Sequence, residues 1–138
     1  MRPEPLAALV LTLSLATGAA LAAERLVSVD GAITEIVYAL DQGSRLVGVD
    51  TTSTYPPETK SLASVGYKRA LSAEGLLSLS PDLVLATDDA GPPEVLDQIR
   101  SAGVEVRQVP DAATLDGLRE KIGAVAAALD AGDRGETL

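Results

Sequence analysis

The sequence predicts an α/β fold: a short parallel sheet of about four strands flanked by helices. Short Val- and Leu-rich runs alternate with longer segments whose apolar residues recur at helical spacing. Strands separated in this way by helices pair in parallel through crossovers. Each run stops at or just before an aspartate loop, at Asp30, Asp50, Asp88 and Asp111. Ligands of such sheets gather at the carboxyl ends of the strands, so these four loops form the ligand side. The 138 residues suffice for one modest domain. With 46% hydrophobic and 2% aromatic residues, its core must be built from Leu, Val, Ile and Ala.

Arg25-Leu26-Val27-Ser28-Val29 reads as the first strand, broken by Asp30-Gly31. Ala32 to Leu40 follows as a helix with Ile33, Ile36, Val37 and Leu40 on one face, and Gln42-Gly43 closes it. Leu46 to Val49 is a second strand. Thr51 to Ala70 is a long polar loop whose Tyr55-Pro56-Pro57 forces extended backbone before the prolines. Ser72 caps a helix over Ala73 to Leu79, and after the Pro81-Asp82 turn Leu83 to Ala86 is the third strand. Pro93 opens a helix with Val95, Leu96 and Ile99 on its apolar side, ended by Gly103. Val104 to Val109 is the fourth strand. Thr114 caps a last helix with Leu115, Leu118, Ile122, Val125 and Leu129 on one face.

Composition removes several classes of function. A net charge of −9 lacks the basic face that nucleic acid or an anionic membrane surface demands. The chain has no His and no Cys, so a Ser-His or Cys-His nucleophile pair is impossible and zinc and copper sites lose their usual ligands. No dinucleotide fingerprint and no phosphate loop occurs. The pair Asp88-Asp89 is the material left for general acid/base work or a hard cation, and such pairs are most often solvated loop residues. A small exported α/β enzyme using Asp88 or Asp89 is therefore the weakest reading, and the chain is read as no enzyme.

Residues 1–22 read as a secretory signal peptide outside the fold. Met1-Arg2 is a short basic start, Leu6 to Leu21 is apolar, and Ala20-Leu21-Ala22 is a small-x-small cleavage site. The run is shorter than the roughly 20 residues a spanning helix needs. The mature chain is thus expected in the periplasm. Without cysteine it holds no disulfides there.

The word most specific to a function is Gly66-Tyr67, then Arg69, Ser72-Ala73-Glu74-Gly75, Leu76-Leu77 and Pro81-Asp82-Leu83-Val84-Leu85. It resembles the signature of the substrate-binding proteins of bacterial ABC haem importers. Thr34 to Leu40, Val47 to Asp50, Thr52 to Thr59 and Ala90 to Ile99 agree with the same family. Tyr55-Pro56 and Pro81 to Val84 are broader words that siderophore and cobalamin carriers share. The resemblance runs from Glu24 to Leu138.

It implies a Rossmann-like lobe, one of two in a periplasmic binding protein. Residues 23–113 would be the N-terminal binding lobe, and 114–138 the start of the helix linking it to a second lobe that the sequence does not contain. It also implies ferric haem as transported ligand, the permease of an ABC importer as partner, and an outer-membrane haem receptor system upstream. Haem iron is held by His, Cys, Met or Tyr. The only Met is the initiator, so Tyr38, Tyr55 and Tyr67 are the available ligands. Tyr38 lies within a helix away from the loops, and the resemblance selects Tyr67 as the axial ligand. Arg69 would partner the phenolate or a haem propionate, and Lys68 is the adjacent cation for the same purpose. Tyr55 would pack the loop or line the haem site. Glu74 matches a carboxylate presented to the permease; its bland role is that of a helix-start acid. The alternatives are a carrier of a siderophore-iron chelate or cobalamin, with Tyr67 as a stacking wall, and a truncated product with an exposed apolar interface.

Overall fold

The computed structural model describes residues 23–138. The leader expected at 1–22 lies outside the described residues. The elements are β1 Leu26–Val29, α1 Gly31–Ala39, β2 Leu46–Val49, β3 Ala63–Ser64, α2 Ala73–Leu77, β4 Leu83–Thr87, α3 Pro93–Ser101, β5 Glu105–Val109, α4 Leu115–Ala128 and α5 Gly132–Gly135. Short 3-10 turns occupy Gly43–Arg45 and Pro57–Ser61.

All strand pairs are parallel, and the sheet runs β3-β2-β1-β4-β5. β1 and β4 sit at its centre and are buried along their whole length. That accounts for their nearly continuous apolar runs, since a central parallel strand is covered on both faces. On one face α1 and α4 pack over Leu26, Leu46, Val49, Leu83 and Leu85. On the other, α2 and α3 cover Val27, Val29, Val84 and Ala86. The chain builds leftward from β1 to β3 and then rightward through β4 and β5. The strand order therefore reverses between β1 and β4, and their carboxyl ends form the crevice where open α/β sheets take ligands.

Three expectations change. The sheet has five strands, because β3 hydrogen-bonds at the edge through Gly48↔Ala63 and Val49↔Ser64. Two exposed residues carry no period to detect. Second, Gly43 does not end α1. The cap is Leu40, and Asp41 takes the left-handed backbone at φ 57. Gly43 is required for packing instead: a Cβ there would lie 2.4 Å from the Tyr38 ring. Third, the last helix stops at Ala128, where Asp130 at φ 55 turns the chain into the short α5. Its apolar stripe is split, with Val125 and Leu129 buried but Leu115 and Leu118 exposed. No helix among the described residues is long and apolar enough to cross a membrane.

Candidate functional site

The segment from Val65 to Leu71 is held by backbone bonds to the end of β2 and the loop after β4. The Val65 amide donates to the Val49 carbonyl and the Thr51 amide to the Gly66 carbonyl, which extends the β2–β3 pairing past the sheet. Gly66 then turns the chain at φ 87, a conformation that strains any residue with a Cβ. The Ala70 amide donates to the Tyr67 carbonyl at 2.8 Å and closes a tight turn. The Gly91 amide donates to the Lys68 carbonyl, and the Leu71 amide to the Gly91 carbonyl, stapling the turn to the loop after β4.

Within this turn consecutive side chains diverge. Tyr67 is 45% exposed and Arg69 is exposed, whereas Lys68 is 8% exposed. Arg69 lies against Asp89, with Nε 3.0 Å and Nη2 2.8 Å from Oδ2. The hydrogen bond to Asp89 and then the nearby Tyr67 phenol and Asp89 charge raise the guanidinium further. Arg69 and Tyr67 are thus both exposed and near each other at the surface.

Lys68 departs from its expected role as a second free cation. Its Nζ points inward, 3.0 Å from Asp30 Oδ2, 3.1 Å from Asp89 Oδ1 and 3.7 Å from Asp111 Oδ2. These carboxylates come from the ends of β1, β4 and β5, so the ammonium occupies the β1/β4 crevice from within. Burial alone would lower the Lys68 ammonium. Hydrogen bonds from it to Asp30 and Asp89, and their charges, outweigh burial and raise it above its ordinary value. Asp89 is held down to about 2: the Thr87 hydroxyl donates to it at 2.6 Å, and Lys68 and Arg69 together outweigh the opposing effect of burial. Asp111 also pairs with Lys121 of α4, which is itself buried. The sequence marked Asp30 and Asp111 as strand-end residues, but no local signal pairs them with Lys68 or Lys121.

A second buried polar group steadies the neighbouring loop. The Thr34 hydroxyl donates to Ser28 Oγ at 2.8 Å and lies 2.7 Å from Ser53 Oγ, which donates to Asp50 Oδ1. The Thr52 hydroxyl also donates to Asp50 and accepts from the Gly31 amide. Buried hydroxyls satisfied in this way rigidify the loops they join.

The structure does not bring Tyr55 to the Arg69–Asp89 cluster. Tyr55 and Pro56 line a groove of about 510 Å³ with Glu35, Tyr38, Ile122 and Leu138 on the α1/α4 side. This groove offers phenols, apolar walls and one carboxylate but no cation for an anionic ligand. The Tyr38 phenol is raised by burial and then by the Glu58 charge. Glu74 is exposed in the first turn of α2, whose N-cap Ser72 accepts from the Gly75 amide. Of the carboxylate pair, Asp88 is exposed and Asp89 is committed to Lys68 and Arg69. Among the described residues no group of three or more such side chains is arranged to hold a metal ion.

A family of periplasmic binding proteins matches residues 26–138. The periplasmic heme-binding protein RhuT of Roseiflexus sp. RS-1, in its apo form, is 54% identical and superposes with a TM-score of 0.80, covering 83% of this chain and 44% of that one. A periplasmic heme-binding protein of Pseudomonas aeruginosa is 43% identical with a TM-score of 0.80, covering 83% of this chain and 41% of that one. A vitamin B12-binding protein of Yersinia pseudotuberculosis is 40% identical over 104 residues, 75% of this chain and 37% of that protein. The chain spans less than half the length of each of these relatives.

Proposed function

This chain belongs to the periplasmic binding protein family, and from that membership we propose that it forms the iron-facing lobe of a carrier that captures ferric haem and delivers it to the permease of an ABC importer. Tyr67 is the axial ligand. The observation that carries this reading is an exposed phenol beside an arginine, on the ligand-side turn of a chain without His or Cys. A bound trivalent iron favours the phenolate, and the Arg69 guanidinium stabilises that anion or a haem propionate. The similarity to the Roseiflexus and Pseudomonas proteins supports haem over other chelates. Lys68 has no part in direct contact with the ligand, and Tyr55 is assigned to the α1/α4 groove.

A second ligand, cobalamin, is favoured by the 40% identity to vitamin B12-binding proteins. It needs no bond from Tyr67. Parallel titrations of the chain with hemin and with cyanocobalamin separate the two. Saturable binding of hemin with a phenolate-to-iron charge-transfer band, and no binding of cyanocobalamin at the same micromolar concentrations, is the expected result. Saturable binding of cyanocobalamin alone would replace haem by the corrinoid.

Glu74 faces the permease in this reading. An exposed charge at a docking rim acts mainly on encounter rate and is screened by salt. Glu74→Arg is expected to slow association with permease-containing vesicles by roughly tenfold at low ionic strength, with the difference shrinking as salt is added. A rate that is the same for both proteins at every salt concentration removes Glu74 from the interface.

A further inference from the structure

We infer that Lys68 is a positioning residue for the ligand site: its buried ammonium holds the Asp89 carboxylate, which in turn holds the Arg69 guanidinium beside Tyr67. Its consequence for haem rests on the function proposed above; its geometry does not. The charged groups that meet here are three carboxylates and three cations. Asp30 ends β1, caps α1 by accepting the Ala32 amide on Oδ1, and offers Oδ2 to Lys68. Asp89 divides its oxygens in the same way. Oδ1 faces the Thr87 hydroxyl and Lys68, and Oδ2 faces Arg69. Asp111 faces Lys121 with Oδ1 and Lys68 with Oδ2.

Among the described residues Lys68 is the one cation shared by all three carboxylates, and each lies within 3.7 Å of it. Arg69 and Lys121 each pair with one of them, so Lys68 is what neutralises the cluster. Without Lys68 the carboxylates face one another in a partly buried space, where like charges are screened little. Asp30 is fixed by its cap and Asp111 by Lys121. Asp89 keeps only the Thr87 hydroxyl and the exposed Arg69, so it is the carboxylate that can swing outward and take Arg69 with it. The turn itself survives through its backbone bonds to Gly91, so the expected failure is in the aim of Arg69 rather than in the fold.

The test uses the full chain and two readouts. In the ligand-free protein the Arg69 Nε–H resonance reports the bond to Asp89 by its sharpness and slow exchange with water. Lys68→Met is expected to broaden that signal and speed its exchange, and to weaken hemin binding about tenfold, the size of one charge-assisted hydrogen bond. Adding Asp30→Asn restores a balanced set, Asp89 with Arg69 and Asp111 with Lys121, while Asn still serves as N-cap. Lys68→Met/Asp30→Asn is therefore expected to recover both the Arg69 signal and most of the affinity. An Arg69 signal unmoved by Lys68→Met overturns the inference, whether or not hemin binds. A double variant no better than Lys68→Met overturns it too, since Lys68 would then be acting by packing and not by charge. Loss of hemin binding in the wild-type chain, with the Arg69 signal behaving as expected, would sink the haem assignment and leave the positioning role standing.

Discussion

Tyr67→Phe is expected to remove the phenolate-to-iron charge-transfer band and to weaken hemin binding by about 100-fold or more, beyond the 10–100-fold typical of losing an outer-shell partner. The fold should not change. Tyr67 is 45% exposed and stands on a turn whose hydrogen bonds are made by backbone atoms. Surface substitutions of this kind stay within about 0.5 kcal/mol of the parent stability. The loss would therefore be one of ligation, read as a spectral change at constant melting temperature. Tyr55→Phe gives the contrast. Its phenol lines the α1/α4 groove, whose walls carry no Lys or Arg, and the same titration should give the parent band. A Tyr67→Phe protein that keeps the band would move the iron ligand elsewhere in the chain.

Leu85→Ala should cost about 2–5 kcal/mol, the range for truncating a buried leucine. Leu85 is fully buried in β4, paired to β1 through Ser28 and to β5 through Arg107, and it packs in the cluster under α1 and α4. Against a typical domain stability of about 5–15 kcal/mol, this is a large share. Urea unfolding is expected to show a much lower midpoint at nearly constant slope. Leu115→Ala, at a position 75% exposed, should shift the midpoint little. Equal effects at the two positions would contradict the burial described here. Because β4 ends at Thr87, whose hydroxyl holds Asp89 in the following loop, loosening it should disturb the site as well as the fold.

The sheet was legible because its central strands obey a rule that sequence displays. β1 and β4 are buried on both faces and so read as nearly continuous apolar runs, interrupted only by Ser28 and Thr87. The helices were legible through their caps, Ser72 and Thr114, whose side chains accept the amides three residues on. β3 was not legible, because its two exposed residues pair only through backbone. The end of α4 was missed for a similar reason: Asp130 adopts a left-handed φ that aspartate tolerates without signalling it. At the site, the motif named Tyr67 and Arg69 as a pair. It could not say that Lys68 between them turns inward. That direction is decided by Asp30, Asp89 and Asp111, which lie 38, 21 and 43 positions away in sequence and meet only when three strands end side by side.

The central claim, that Tyr67 holds haem iron, is tested most directly in a chain where it is the sole tyrosine. Tyr38→Phe/Tyr55→Phe leaves that chain, and resonance Raman spectroscopy of its hemin complex reads the iron–phenolate vibrations. The account predicts phenolate modes matching those of the parent complex, shifting when ring-deuterated tyrosine is incorporated. A complex without phenolate modes, or with modes that ignore the label, would contradict it.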